Sequence, residues 1–258
     1  MASSNTILGI DIGGTGVKGA PVHVKKGELK ADRYRLSTPQ PATPKSVAKT
    51  VQAIAEHFDW KGPIGLTVPA RVRRGTVETA ANIDQQWIGA KASKLFKKAT
   101  GSPCTVLNDA DAAGLAEMAV GAARGKRDGQ GVVLVLTVGT GIGSALFLDG
   151  QLVPNTELGH LWLAPEIGCI AEHYASNRVR TTNEMPWAMW ATRLQTVLEH
   201  AEFIFAPDRI VIGGGVSRPD RWAEFGPLLK TKAKLVPAAL QNNAGIVGAA
   251  IAAAQAQD

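Results

Sequence analysis

The chain has 258 residues, of which 45% are hydrophobic and 19% charged, with a formal net charge of +6. This composition is typical of a soluble globular protein and excludes intrinsic disorder. No run of about 18 apolar residues occurs, and the start lacks a basic region, so we expect neither a membrane span nor a signal peptide. Two cysteines, Cys104 and Cys169, form no disulfide framework, which favours a reducing, cytoplasmic setting.

The positive charge is concentrated in four short groups. Such groups are typical of solvated helix faces and loops, but together they could also attract a polyanion. No zinc-finger, helix-turn-helix or RNA-binding signature accompanies them, so we expect no nucleic-acid partner. The groups are Arg71, Arg73 and Arg74; Lys91, Lys94, Lys97 and Lys98; Arg124, Lys126 and Arg127; and Lys230, Lys232 and Lys234.

Hydrophobic periodicity predicts strands and helices that alternate along the first part of the chain. A β-branched strand at 7–12 stops at two glycines, and 17–24 is predicted to be its hairpin partner. The elements predicted next are a Pro-rich loop at 37–44, a helix at 45–58, a strand at 64–68, a basic helix at 90–99, a strand at 105–107 and a helix at 110–123.

The opening pattern then returns, with an apolar strand at 132–138, a glycine turn and a second strand at 144–148. Gly14-Thr15-Gly16-Val17 matches Gly139-Thr140-Gly141-Ile142, which indicates two similar halves. A helix at 187–205, a strand at 209–212 and an alanine-rich helix at 244–254 follow. The alternation predicts an α/β fold. We expect a smaller domain at 1–110, a larger one at 111–243, and the last helix, about 244–258, packed back on the first.

Both glycine turns have the parts of a phosphate-binding loop. Glycine lets backbone N–H groups approach a phosphate closely, and threonine adds a hydroxyl donor. The Gly-Lys-Ser/Thr ending of a Walker A loop is missing, and a predicted strand follows where a dinucleotide fingerprint needs a helix. A tight hairpin explains one such turn, whereas two favour phosphate binding. The candidate residues are Asp11, Gly13, Gly14, Thr15, Lys18, Thr140 and Gly141, with a third loop at Gly213, Gly214 and Gly215.

Several segments resemble the motifs of the ROK sugar kinases. Residues 10–19 (IDIGGTGVKG) and 136–146 (LTVGTGIGSAL) are similar to the two phosphate motifs of that family. Residues 155–160 (NTELGH) resemble its sugar-binding E-x-G-H, and 212–216 (IGGGV) its nucleotide-side loop. With 235–249, the chain is most similar to the polyphosphate glucokinases and polyphosphate/ATP glucomannokinases. The resemblance implies a duplicated actin/hexokinase-like (ribonuclease H-like) fold with a cleft between two domains.

Asp109 is the candidate catalytic base. It follows a predicted strand and opens a helix, so from the residues alone it is either a base for a sugar hydroxyl or an N-cap. The resemblance favours the base. It also implies that the sugar-contacting residues are Asn82, Asn108, Asp109, Glu157, His160 and Glu172, although the register of Glu172 after the apolar segment 164–170 is open.

The implied reaction is transfer of a phosphoryl group from polyphosphate, ATP or both to the 6-hydroxyl of glucose, with mannose as a second acceptor. Mg²⁺ would assist, held through Asp11. Only Cys169 stands where many ROK kinases carry three zinc-binding cysteines, so we expect no structural zinc. Family members are commonly homodimers. The alternatives are a strictly ATP-dependent hexokinase, a non-catalytic sugar or nucleotide sensor on this fold, and an NAD-dependent oxidoreductase, which the strand after the first turn disfavours.

Overall fold

A computed structural model describes residues 5–81, 83–125 and 127–257. Asn82, a predicted sugar contact, and Lys126, a member of one basic group, lie outside the described residues. The chain forms two compact units, one of Met1–Ala116 with Asn243–Asp258 and one of Glu117–Asn242. Sequence had placed these boundaries at 110 and 243. Among the described helices, none is both long enough and apolar enough to cross a bilayer.

Strands and helices alternate in both units. The described strands are β1 (Thr6–Ile12), β2 (Gly16–His23), β3 (Glu28–Leu29), β4 (Tyr34–Ser37), β5 (Ile64–Val68), β6 (Val72–Arg73), β7 (Thr76–Val77), β8 (Cys104–Asn108), β9 (Val132–Val138), β10 (Ile142–Leu148), β11 (Gln151–Val153), β12 (Arg209–Gly213) and β13 (Lys234–Pro237). The α-helices are α1 (Pro44–His57), α2 (Ala92–Thr100), α3 (Asp109–Val120), α4 (Ala171–Ala175), α5 (Asn177–Thr182), α6 (Trp187–Phe205), α7 (Pro219–Phe225) and α8 (Ala244–Gln255).

The first unit is built on a mixed sheet in the order β3-β2-β1-β5-β8, with β4 also paired to β2. β1 is antiparallel to β2 and parallel to β5, which is in turn parallel to β8. Helix α1 begins at Pro44, after Thr43 has capped it by accepting from the Ser46 amide (3.2 Å). Val51 and Ile54 on its apolar face are fully buried in the core of this unit.

Helix α8 lies directly on β1 and β5 because small residues line the contact. Any side chain at Gly9 or Gly65 would run into the backbone of α8, and a side chain at Gly248 would run into the Ala112 carbonyl of α3. Such close approach requires glycine, which has no Cβ. The predicted return of the last helix therefore rests on three glycines that lie far apart in the sequence.

The second unit repeats the arrangement of the first, in the order β11-β10-β9-β12-β13. Here β9 is antiparallel to β10 and parallel to β12, which is parallel to β13. The core beneath includes Trp190, Leu194 and Leu198 of α6, packed with Phe225 of α7. Since the two sheets share one strand order, the duplication and the α/β class predicted from the sequence are confirmed.

Short elements were the ones that sequence periodicity missed. β3, β6, β7, β11 and β13 have two to four residues each, and α4, α5 and α7 have five to seven. One or two turns are too few to show a hydrophobic period. The longer elements agree with prediction to within a few residues, and 64–68, 132–138 and 187–205 agree at both ends.

Glu117 ties the end of α3 to the loop after β13. Its carboxylate is 1% exposed and accepts from the amides of Ala122 (2.7 Å), Ala239 (3.0 Å) and Leu240 (2.8 Å). A buried carboxylate is tolerated where several N–H groups satisfy its oxygens. This one side chain thus joins the two places at which the chain enters and leaves the second unit.

Replacing Glu117 by Gln should destabilise the protein by about 3 kcal/mol, because a side-chain NH₂ would then face backbone donors. Glu224→Gln changes an exposed carboxylate in the same unit and should stay within about 0.5 kcal/mol of the parent. Chemical denaturation of both variants measures the difference, and equal midpoints would contradict the assigned role.

Candidate active site

The first glycine turn joins β1 to β2 and leaves its backbone open to a ligand. It is closed by a hydrogen bond from Gly13 N to Gly16 O (3.0 Å), and the Thr38 hydroxyl donates to the Gly13 carbonyl (2.5 Å). At Gly14 no heavy atom lies within 4 Å of the point where a side chain would begin. A phosphate group can therefore come close to the N–H groups of this turn.

Arg35 contacts this turn, although no sequence motif indicated it. Strand β4 places it opposite Lys18, and its Nη2 donates to the Thr15 carbonyl (3.0 Å). Its guanidinium occupies the space that a side chain on Gly16 would need. Arg35 is 20 residues from Thr15 in sequence, so only the pairing of β4 with β2 reveals the contact.

Asp11 lies at the end of β1 in a network of polar contacts. One carboxylate oxygen accepts from the Thr67 hydroxyl (2.7 Å), and the other is 3.0 Å from Nζ of Lys18. Gly245 at the start of α8 leaves room for this carboxylate. Both oxygens keep further lone pairs, so Asp11 fits Mg²⁺ held through water, whereas direct coordination by its Oδ2 would displace Lys18.

Asn108 and Asp109 take different parts at the start of α3. Asn108 caps the helix, since its Oδ1 accepts from the amides of Ala110 (2.8 Å) and Asp111 (3.1 Å), and its Nδ2 donates to Ala70 O (3.1 Å). Asp109 is exposed at the first helical position, with Oδ1 2.9 Å from the Ala110 amide. The capping role considered for Asp109 thus belongs to Asn108, and the Asp109 carboxylate remains accessible.

The three parallel strands of the first unit end at one edge of the sheet. Asp11 pairs with Thr67, and Val68 pairs with Asn108, so β1, β5 and β8 finish side by side. Neighbouring strands are about 4.8 Å apart, which puts the ends of β1 and β8 about 10 Å apart. The first glycine turn and Asp109 therefore share an edge at the distance of a small substrate.

A cavity of about 240 Å³ adjoins the first glycine turn. Gly13 and Gly14 line it, and its side chains are apolar apart from Thr38, Gln40 and Asp84. Concave sites with apolar walls and few polar groups are typical of small-molecule binding.

Two glycine loops also share an edge in the second unit. β9 and β12 are parallel neighbours that pair Thr137 with Gly213, so the second turn and the third loop leave the sheet together. Gly214, at φ +81°, packs against the backbone of the last residue of β9. The second turn is closed from Gly139 N to Gly141 O (2.9 Å). The second turn is one residue shorter than the first, although the two turns share a matching four-residue sequence.

Three predicted sugar contacts meet beside the second turn. His160 lies between two carboxylates, with Nδ1 3.9 Å from Glu157 and Nε2 3.9 Å from Glu172. Glu172 also lies 3.9 Å from His173, and its carboxylate fills the space that a side chain on Gly141 would take. These distances are longer than hydrogen bonds, and carboxylate and imidazole groups are side chains that can bind hydroxyl groups.

The segment 164–170, after which the register of Glu172 was left open by the sequence, forms a turn. Leu163 N donates to Cys169 O (3.1 Å), and Trp162 bridges to Ile170. Helix α4 then begins and carries Glu172 to Gly141.

Ser144 of β10 holds the E-x-G-H segment in place. Its buried hydroxyl donates to the Thr156 hydroxyl (3.1 Å) and accepts from the Leu158 amide (3.0 Å). Gly159 packs against the Ile142 carbonyl, where a side chain would collide. The position of Glu157 and His160 is thus set by β10, the strand that follows the second turn.

Comparison with known proteins decides the family. The ROK family model matches residues 7–179. This chain belongs to the ROK family.

Relatives and solved structures of that family match nearly the whole chain. Polyphosphate glucokinase of Mycobacterium tuberculosis is 47% identical over 247 residues, 95% of this chain and 90% of that protein. The enzyme of that name from Mycobacterium leprae is 46% identical, with 95% and 74% covered. The crystal structure of inorganic polyphosphate/ATP-glucomannokinase from Arthrobacter sp. strain KM superposes with a TM-score of 0.90 at 44% identity, covering 97% and 99%. A ROK family glucokinase from Streptomyces griseus shares the fold at 23% identity (TM-score 0.81), with 97% and 99% covered.

The predicted ROK site residues fall into two sets, one in each unit. The first unit holds Asp11, Gly13, Gly14, Thr15, Lys18, Asn108 and Asp109, and the second holds Thr140, Gly141, Glu157, His160, Glu172, Gly213, Gly214 and Gly215. In the described part of the chain no three His, Cys, Asp or Glu side chains form a metal-binding group. Burial raises the pKa of the Cys104 thiol to about 11, so this cysteine is a poor thiolate ligand near neutral pH.

Replacing Ser144 by Ala should loosen the E-x-G-H segment, because the Leu158 amide loses its acceptor. We expect hydrogen exchange at 156–160 to rise by about tenfold. Ser217→Ala removes another buried hydroxyl of the same unit, which donates to Gly214 O (2.9 Å), and should leave exchange at 156–160 unchanged. Equal exchange in Ser144→Ala and the parent, measured by mass spectrometry, would count against this role.

Proposed function

We propose that this chain transfers a phosphoryl group from inorganic polyphosphate, ATP or both to the 6-hydroxyl of glucose, giving glucose 6-phosphate. The observation that carries the proposal is an exposed carboxylate, Asp109, at the same sheet edge as a glycine turn that leads into β2 and its Lys18. This reaction needs a base beside the acceptor hydroxyl and hydrogen-bond donors that bind the phosphates. The relatives named polyphosphate glucokinase, at 47% identity, support the same reaction.

Asp109 is the base of the proposed mechanism. It lies in the first turn of α3, at the end of the sheet edge that it shares with the first glycine turn. As O6 of the sugar bonds to phosphorus, Asp109 takes the hydroxyl proton and the bond from phosphorus to the bridging oxygen of the donor breaks. The products are the sugar 6-phosphate and a donor shortened by one phosphoryl group.

The sugar hydroxyls would be bound by Glu157, His160 and Glu172, with Asn82 and Asn108 as further contacts. Asn108 already uses its oxygen for the helix cap and one N–H for Ala70, so it can offer the sugar only a donor. A set of buried acceptors and donors discriminates strongly between hydroxyl patterns. Mannose is the second acceptor to test.

The donor would be held by the glycine turns. Backbone N–H groups of Gly13, Gly14 and Gly141, with the hydroxyls of Thr15 and Thr140, would bind its phosphate oxygens. Asp11 would hold Mg²⁺ through water, and the ion would offset charge that builds up on the phosphates.

A donor comparison tests the reaction and separates its alternatives. Polyphosphate, ATP and GTP are each supplied with glucose, and glucose 6-phosphate is measured by a coupled assay. We expect product with polyphosphate and with ATP. Product with ATP alone would indicate a strictly ATP-dependent hexokinase, and no product with any donor would favour a non-catalytic sensor and overturn the proposal.

Replacing Asp109 by Asn should lower kcat by about 10³-fold, the usual contribution of a general base. The melting temperature should not fall, since Asn108 caps α3. Asp59→Asn, which changes an exposed carboxylate paired with Lys61, should leave kcat unchanged. Substantial turnover in Asp109→Asn would assign the base to another group.

We also infer a cytoplasmic homodimer, as family members are commonly dimers and the free cysteines Cys104 and Cys169 fit a reducing compartment. Sedimentation analysis of the full chain measures the mass directly, and a monomer at micromolar concentration would contradict this inference.

A further inference from the structure

Two arginines outside the basic groups of the sequence lie on helices that contact the glycine loops of the second unit. Helix α5 is tied to the second turn, since the Arg178 amide donates to Gly139 O (3.1 Å). The same helix carries Arg180. Helix α7 carries Arg221, whose Nη1 donates to the Gly215 carbonyl of the third loop (2.8 Å).

Arg180 is held in one orientation by three contacts. Its guanidinium carbon is 3.8 Å from the centre of the Trp187 ring, its Nε donates to Asn177 Oδ1 (3.1 Å), and its Nη1 donates to Met185 O (3.3 Å). The planar guanidinium group is therefore held in position before any ligand binds, which lowers the conformational entropy lost on binding.

An aromatic cluster connects Arg180 to Arg221. Trp187 stacks on Phe225 (5.4 Å between centroids), and Phe225 lies one helical turn after Arg221 on α7. The two guanidinium groups are close enough to affect each other. Partial burial, and then the charge of Arg221, lower the pKa of Arg180 from its ordinary value. Both arginines nevertheless stay charged near neutral pH.

Among the described residues neither arginine forms a close ion pair, although the charge of Arg221 also acts on the nearby Asp220 carboxylate. Within the described ranges no carboxylate lies within 4.0 Å of Arg180 or Arg221, whereas Arg218, three residues from Arg221, is paired with Asp220 (3.2 Å). Two neighbouring cations repel each other, and an anion placed between them would turn this repulsion into attraction. Planar guanidinium groups bind phosphate oxygens with paired hydrogen bonds.

We propose that Arg180 and Arg221 form a subsite for phosphate groups of the donor chain beyond the group that is transferred. The proposal rests on the proposed function for the nature of the donor. It assigns the polyanion contact to this pair rather than to the lysine-rich groups. The ligand is a phosphate chain, supplied either as inorganic polyphosphate or as the triphosphate of ATP.

The test is equilibrium binding of long-chain polyphosphate to the full-length protein without glucose, followed by kinetics with polyphosphate and with ATP. Arg221→Gln should weaken polyphosphate binding by about tenfold, the effect of one lost charge-assisted contact. Arg221→Lys should recover part of this loss, and Arg180→Gln should match Arg221→Gln. The KM for glucose should stay within twofold of the parent, because the subsite does not contact the sugar.

A control variant removes one positive charge elsewhere in the same unit. Arg193→Gln removes an arginine that contacts the Tyr174 ring (5.0 Å) and carbonyl (3.3 Å). This variant should bind polyphosphate within twofold of the parent. Higher salt should weaken polyphosphate binding more in the parent than in Arg221→Gln.

Equal losses in Arg221→Gln and Arg193→Gln would overturn the subsite, since net charge alone would then explain binding. A rise in KM for polyphosphate alone assigns the subsite to polyphosphate, a rise for both donors extends it to ATP, and no rise for either overturns it. If the protein binds polyphosphate but forms no glucose 6-phosphate with any donor, the proposed function is overturned and the subsite is not.

Discussion

Parallel pairing of strands is the constraint on which the candidate site depends. β1, β5 and β8 run parallel in the first unit, as do β9, β12 and β13 in the second. Their carboxyl ends finish at one edge, and ligands of open α/β sheets bind at that edge. The first glycine turn and Asp109 leave one such edge, and the second and third glycine loops leave the other. Residues far apart in sequence thus become neighbours.

Close backbone contact makes this arrangement possible in the first unit. Gly9 and Gly65 let α8 lie on the strands whose ends carry the site, and Gly248 lets it reach α3, which begins at Asp109. Gly245 leaves space for the Asp11 carboxylate at the start of the same helix. A methyl group at these positions would move α8 away from the sheet, since protein interiors have little free volume.

The carboxylates near α3 show how environment separates structural from chemical roles. Glu117 is buried, and three amides satisfy its oxygens, so it has no capacity left for a substrate. Asp11 is partly buried and balanced by Lys18 and Thr67, which suits indirect contact with a cation. Asp109 is exposed, and the neighbouring Asn108 supplies the cap. Of the three, Asp109 is the most exposed.

The sequence by itself determined the long elements, the α/β class and the duplication. Hydrophobic period and glycine punctuation are local properties, and the elements at 64–68 and 187–205 have them. The motifs also singled out both glycine turns. Local letters did not show that the second turn is shorter by one residue, because turn length depends on strand register.

Only the tertiary structure decided which side chains meet. Arg35 reaches the first turn through β4, Glu172 reaches Gly141 through α4, and Arg221 reaches the third loop through α7. From the sequence, Asp109 could be either a general base or the N-cap of α3, and in the structure Asn108 is the N-cap. These contacts depend on register, on helices too short to show periodicity, and on hydrogen bonds between distant segments, and none of these is encoded in a local pattern of residues.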